Sequence, residues 1–228
     1  MVQRKSEGAC GEGAERTGRL KDKVKHIIKA LEKLYPDASL ELKFNNAFEL
    51  LIEAILAAQE SDKKVNELRE SLFKKYKTPE DIVSAPLDQL EEDISSVNFY
   101  RRKAKLIKKC CQALVETFSG EVPKSVEEMT KLPGVGRKTA NMVLGGAFGL
   151  PAIIVDRHVL RVAQRIGLTR EKDPDKVEKE LMEIVPRDSW TKFSFLLLNH
   201  GKNLCGARAP KCEECPICEL CESCKVKL

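Results

Sequence analysis

The sequence predicts an all-α fold, and three observations carry that prediction. Apolar residues recur at helical spacing through most of the 228 residues, one segment is apolar nearly all round, and a single run, Pro151 to Val155, looks like a strand. That run is too short and isolated to build a sheet, so it is read as an extended connector.

In chain order, residues 1–18 are rich in glycine and charge without periodicity and are expected to form a disordered arm. Lys21 to Tyr35 places Ile27, Ile28, Leu31 and Leu34 on one helix face. Ala47 to Ala58 is apolar nearly all round and is expected to be central and buried. Further helices fit Asp62 to Tyr76, Pro79 to Ser84 behind the capping pair Thr78 and Asp81, Arg101 to Phe118 and Ser125 to Leu132. Arg137 to Phe148, Arg157 to Ile166, Asp175 to Ile184 and Ser189 to His200 complete the set.

Composition narrows the functional classes. With 42% hydrophobic and 33% charged residues the chain can bury a full core, as one large domain or two smaller lobes. The first residues carry charge where a signal peptide needs an apolar core, and no later run approaches the roughly 20 apolar residues that span a bilayer. A monomer in an intracellular location, away from membranes, is the expectation. The net charge of +5 suits a polyanionic partner without requiring one.

The stretch Leu132-Pro133-Gly134-Val135-Gly136-Arg137-Lys138 is more specific. Two glycines flank an apolar residue between helical segments, with proline before and a basic pair after. Glycine supplies the positive φ angles and the missing Cβ that a tight turn demands. The backbone N–H groups opening the second helix can then bind an anion, with the helix dipole and Arg137 favouring the same charge. Phosphate is the obvious guest, and the pattern is that of a helix-hairpin-helix DNA-binding element. Near the C-terminus, six of the nine cysteines crowd between Cys205 and Cys224, which in an intracellular chain argues for metal rather than disulfides. Cys212, Cys215, Cys218, Cys221 and Cys224 recur every third residue, so by spacing alone several sets of four could hold either a [4Fe-4S] cluster or zinc.

Residues 132–168, from LPGVGRKTANMVL to VDRHVLRVAQRIGL, closely resemble the endonuclease III family of DNA glycosylases. The likeness extends over about residues 21–224, including LLIEAILAAQESD and the C-terminal cysteines. The resemblance implies a two-lobed helix-hairpin-helix DNA glycosylase fold with a C-terminal [4Fe-4S] loop. Residues 40–150 would form one helical lobe, and residues 19–39 with 151–228 the other. It implies Lys138 as nucleophile, Asp156 of Val155-Asp156-Arg157-His158 as its partner, and Cys205, Cys212, Cys215 and Cys221 as cluster ligands. Cys218 and Cys224 are then spare. Taken alone, Lys138 could be a solvated helix lysine and Asp156 a helix N-cap; the joint pattern is what raises them.

The implied chemistry agrees with the residue types. An amine attacking a sugar C1′ displaces the base and leaves a Schiff base, which acidifies the neighbouring proton for β-elimination of the 3′ phosphate. A carboxylate stabilises the oxocarbenium-like charge that develops on the sugar. If a base must leave the duplex, something must fill the gap and something must wedge the stack. Gln59 resembles the family's gap-filling glutamine, and Phe99 stands in the wedge loop Val97 to Lys103, where Arg101, Arg102 and Lys103 add cations. Several positions depart from the family pattern: Phe99 stands where leucine is often found and Ser61 replaces threonine while keeping the hydroxyl. Glu60 replaces the alanine of Gln-Ala-Thr-Asp and brings a negative charge, and Asn98 stands where glycine is usual. Gly134, Val135, Gly136, Arg137, Arg208 and Lys211 complete the expected DNA contacts, the last two from the loop between the first two cysteine ligands.

These features favour a bifunctional glycosylase and abasic-site lyase acting on oxidised or ring-saturated pyrimidines in double-stranded DNA. A monofunctional mismatch glycosylase would carry Ser or Tyr at position 138. A non-catalytic DNA-binding Fe–S protein would leave the pairing of Lys138 with Asp156 to coincidence.

Overall fold

The computed structural model describes residues 8–224 and is helical throughout, with no strand among those residues. They fall into two compact units, residues 40–152 and residues 8–39 joined with 153–224. No helix among the described residues is long and apolar enough to cross a membrane.

In the unit spanning residues 40–152, α2 (Ala47–Leu56) is the axis, with every residue from Phe48 to Leu56 buried, the glutamates Glu49 and Glu53 included. Asn46 caps it, its side chain accepting from Glu49 N–H at 2.9 Å. Ser61 caps α3 (Asp62–Lys75) in the same way, and Thr78 with Asp81 forms a complete capping box on α4 (Pro79–Ser84). The sequence reading passes over α5 (Leu87–Asp93), a seven-residue helix that buries Leu90 and has no side-chain cap. Next come α6 (Tyr100–Phe118), the short α7 (Val126–Met129) and α8 (Arg137–Ala147). Leu50, Leu51, Ile52, Leu56, Ile107 and Leu114 are fully enclosed, each contributing roughly 2 kcal/mol of burial. A Cβ at Gly146 would come 2.9 Å from Leu50 Cδ2, so α8 approaches α2 closely there. Cys110 and Cys111 are fully buried on α6, and burial pushes the Cys110 thiol up to about 12 and Cys111 higher still.

The second unit contains α1 (Gly8–Leu34), α9 (Arg157–Ile166), α10 (Pro174–Ile184) and α11 (Trp190–Asn203), followed by the cysteine loop. Helix α1 begins at Gly8, inside the segment expected to be a disordered arm, because good helix formers such as Glu15 and Arg16 extend a turn already nucleated downstream. The rest of that expected arm, residues 1–7, lies outside the described residues. Val24, Ile27 and Leu31 of α1 are buried, as are Val159 and Val162 of α9, Leu181 of α10, and Phe193 and Leu196 of α11. Residues 151–156 form no regular element, so the run builds no strand, and Ile154 N–H donates to Ser194 Oγ at 2.9 Å.

Candidate active site and cysteine loop

The hairpin is built as its glycines predict, but the two do different work. Gly134 has φ +84°, a left-handed value that other residues adopt at a cost, and it turns the chain between α7 and α8. Gly136 has φ −90° and ψ 173°, extended backbone open to any residue, and a Cβ there would meet no atom within 4 Å. The open space beside its backbone, rather than its dihedral freedom, is what glycine supplies at 136. The Val135 side chain is buried, so only its backbone remains for a ligand. Gly136 is the N-cap of α8 and brings no capping side chain. The first N–H groups of a helix lack intrahelical partners, and the end carries partial positive charge. Lys138, the second residue of α8, is exposed, and Arg137 is half-buried beside it.

Asp156 is the N-cap of α9, its Oδ1 accepting from His158 N–H at 2.8 Å and Val159 N–H at 2.7 Å. Both bonds fall on one oxygen, which fixes the orientation of the carboxylate. His158 sits behind it, with Arg161 Nη2 3.2 Å from its Nδ1, and burial lowers its pKa.

Gln59 and Phe99 occupy two neighbouring loops in the unit of residues 40–152. Both are exposed, Phe99 to 63%, and both hold left-handed backbone, with φ 56° and φ 58°. Such conformations cost non-glycine residues of order 1–3 kcal/mol each and persist where surrounding contacts fix them. Arg101 is exposed at the start of α6, 3.9 Å from Glu91 and over the Tyr100 ring. Lys103 does not join the surface cations. It is 4% exposed and donates to Leu56 O at 2.7 Å, closing the C-terminal end of α2. The periodicity of α6 puts Lys103 on the face that also buries Ala104 and Ile107.

At the C-terminus, Cys205, Cys212, Cys215 and Cys221 are half-buried free thiols lining a cavity of about 320 Å³. Cys218 and Cys224 are joined as a disulfide across Cα atoms 5.4 Å apart. Metal rather than disulfides was the expectation for the whole cluster, and crowding along a tightly turning chain is what brings this one pair within bonding reach. Among the described residues no three donors converge as the ligands of a single ion would. Burial raises the Cys215 and Cys221 thiols, and the neighbouring sulfurs add to the effect. His200 Nε2 lies 3.6 Å from Cys215 Sγ, and burial holds this imidazole down to about 4, so it is neutral near pH 7. Arg208 and Lys211 are exposed in the loop between the first two thiols and also line the cavity.

Sequence reading missed the residues that hold this loop. Arg165 donates to Cys205 Sγ at 3.3 Å, Gly206 O at 2.7 Å and Ala207 O at 2.8 Å, and Arg161 donates to Cys205 O at 3.1 Å and Gly201 O at 2.8 Å. Their i, i+4 spacing on one face of α9 was the available signal. A second omission is the contact between the loops of Gln59 and Phe99. Glu60 Oε2 accepts from Asn98 N–H at 2.8 Å, and Asn98 Nδ2 donates to Gln59 O at 3.3 Å.

A glycine hairpin opening a helix, a lysine in its first turn and a cysteine-lined loop define a class of DNA repair protein. Residues 52–187 match the family described as HhH-GPD superfamily base excision DNA repair protein. Endonuclease III of Bacillus subtilis is 46% identical over 195 residues, covering 84% of this chain and 89% of the relative, and that of Synechocystis is 43% identical over 195 residues, covering 85% and 89%. A solved structure of a trapped endonuclease III–DNA covalent intermediate superposes with a TM-score of 0.85 at 44% identity, covering 90% of this chain and 97% of that one. The chain belongs to the endonuclease III family.

Proposed function

We propose that this protein is a bifunctional DNA N-glycosylase and abasic-site lyase of base excision repair, acting on oxidised or ring-saturated pyrimidines in duplex DNA. The observation that carries the reading is an exposed Lys138 in the first turn of α8, two residues beyond the open backbone of Gly136. A phosphate seated on that helix end brings the sugar of a neighbouring nucleotide within reach of the amine. The Lys138 amine attacks C1′, the glycosidic bond breaks, and its electron pair leaves with the base, which takes up a proton. Once the attacking nitrogen has given up one proton, its lone pair forms the C1′=N bond of the iminium as the C1′–O4′ bond of the sugar ring breaks, and O4′ takes up a proton. Removal of a C2′ proton then sends an electron pair into the C2′–C3′ bond and expels the 3′ phosphate. Asp156, oriented by its two cap bonds, stabilises positive charge on the sugar as the base departs. A monofunctional mismatch enzyme would make no use of an amine at position 138.

Gln59 and Phe99 serve as gap-filler and wedge during base extrusion, with Arg101 on the backbone beside them. The thiols of Cys205, Cys212, Cys215 and Cys221 suit a [4Fe-4S] cluster. They are soft donors spread around a cavity, a layout for a polynuclear group held at its corners rather than for one ion, and Arg165 supplies an N–H to Cys205 Sγ. Bound there, the cluster would cross-link the loop and fix Arg208 and Lys211 for phosphate contact.

Borohydride added during reaction with an abasic-site duplex reduces the iminium, so wild type should form a covalent protein–DNA adduct at Lys138. Lys138→Gln should bind the duplex yet neither trap nor nick. Trapping at the wild-type rate in Lys138→Gln would assign the chemistry to another amine.

A further inference from the structure

Glu60 and Asn98, two of the positions that depart from the family pattern, bond to each other. Glu60 spans two loops: Oε1 accepts from Ser61 N–H at 3.1 Å in its own loop, and Oε2 accepts from Asn98 N–H at 2.8 Å in the other. Asn98 returns a bond through Nδ2 to Gln59 O at 3.3 Å. The Glu60 side chain is only 7% exposed, and Lys64 Nζ lies 3.5 Å from Oε2. Beneath them Lys103 ties the start of α6 to Leu56 O at the end of α2. The residues on either side of this arrangement, Gln59 and Phe99, are both exposed and both hold left-handed backbone.

We infer that Glu60 and Asn98 form a latch between the two loops and are positioning residues for base extrusion, holding Gln59 and Phe99 at a fixed separation. The inference rests on reading Gln59 and Phe99 as the groups that enter the duplex. A strained backbone keeps its conformation only while its neighbours over-determine it, and the latch bonds the carbonyl of Gln59 and the residue preceding Phe99. The Glu60 carboxylate opposes a polyanion electrostatically, so any benefit to the reaction comes through geometry. Charge and latch therefore make opposite predictions. Removing the charge strengthens DNA binding; removing the latch slows extrusion.

Single-turnover excision and binding should be measured on a duplex carrying one dihydrothymine, for wild type, Glu60→Ala, Glu60→Gln, Asn98→Gly, Gln59→Ala and Phe99→Ala. Glu60→Ala should bind as tightly as wild type or tighter while excising about tenfold more slowly, the loss of one charge-assisted bond. Glu60→Gln removes the charge but keeps a carbonyl acceptor for Asn98 N–H, so it should bind more tightly and excise within about twofold of wild type. Asn98→Gly keeps the N–H and loses the amide, and about a threefold loss is expected. Excision by Glu60→Ala at the wild-type rate, with Phe99→Ala slowed, would overturn the latch and leave the probing residues standing. Equal slowing in Glu60→Ala and Glu60→Gln would overturn it by assigning the effect to charge. Full activity in both Gln59→Ala and Phe99→Ala would remove the reading on which the latch rests. Should Glu60→Ala fail to fold, the comparison of Glu60→Gln with Asn98→Gly decides: wild-type excision by Asn98→Gly would overturn the latch.

Discussion

Replacing Gly136 by alanine separates what the hairpin does for the fold from what it does for a ligand. Its φ of −90° and ψ of 173° suit any residue, and the added Cβ meets nothing within 4 Å. Reduced freedom of the unfolded chain favours alanine by about 0.4–1 kcal/mol, whereas alanine is a poorer N-cap than glycine by a similar amount. Gly136→Ala should therefore unfold within about 0.5 kcal/mol of wild type. At Gly134, with φ +84°, the same change forces an L-residue into left-handed backbone and should cost roughly 1–2 kcal/mol, lowering Tm by about 3–6 °C. The order reverses for DNA. The new methyl at 136 occupies the space through which a phosphate reaches the N–H groups of α8, and hydrogen bonds to charged groups contribute about 1.5–3 kcal/mol each. Losing one would weaken binding roughly tenfold to a hundredfold. Thermal unfolding followed by circular dichroism, with fluorescence anisotropy on a labelled abasic-analogue duplex, reads both quantities. A folded Gly136→Ala protein that keeps wild-type affinity would refute the phosphate seat, and one that unfolds would refute the open-backbone reading of position 136.

Two further outcomes follow from buried groups and from the cysteine loop. Glu53, fully enclosed on α2, has its carboxyl pushed up to about 8, chiefly by burial, although Arg69 Nε lies 3.3 Å away. The folded state thus holds this proton more tightly than the unfolded chain does, so stability should fall as pH rises from about 5 to 8, by about 5 kcal/mol at most, and then level off. Glu53→Gln should flatten that slope in urea titrations, matching wild type near pH 5 and exceeding it near pH 8.5; an unchanged slope would assign the pH dependence elsewhere. The purified protein should be yellow-brown, with about four irons per chain. Cys212→Ser should lose the colour, Cys218→Ser should keep it, and bleaching by Cys218→Ser in iron analysis would show the ligand set to be wrong.

Local signals carried most of the helices and their caps. The nearly all-apolar α2, the Thr78–Asp81 box and the Asp156 cap each depend on residues within one or two turns, which is why they could be read directly. The short α5 was not legible, because seven residues with one buried leucine give periodicity nothing to repeat. The twin glycines at 134 and 136 look equivalent in sequence and differ in backbone angle and in the space beside them. The bond between Glu60 and Asn98, 38 residues apart, leaves no periodic trace, and neither does the burial of Lys103, which had looked like one more cation in a basic run. Contacts between segments distant in sequence are what the pattern of any one segment cannot encode.

The enclosed pair Cys110 and Cys111 gives this chain an internal reporter. A thiol reagent needs both access and thiolate, and the middle of α6 supplies neither while the helix stays packed. The half-buried sulfurs of the C-terminal loop present themselves without such an opening. Alkylation of the native protein followed by peptide mapping would therefore run on two clocks. Label at 110 or 111 counts how often the helical unit of residues 40–152 comes apart, and label at 205, 212, 215 or 221 counts how often the loop is left unprotected. The chain can thus report separately on the upkeep of its scaffold and on that of its cysteine loop, with no probe attached.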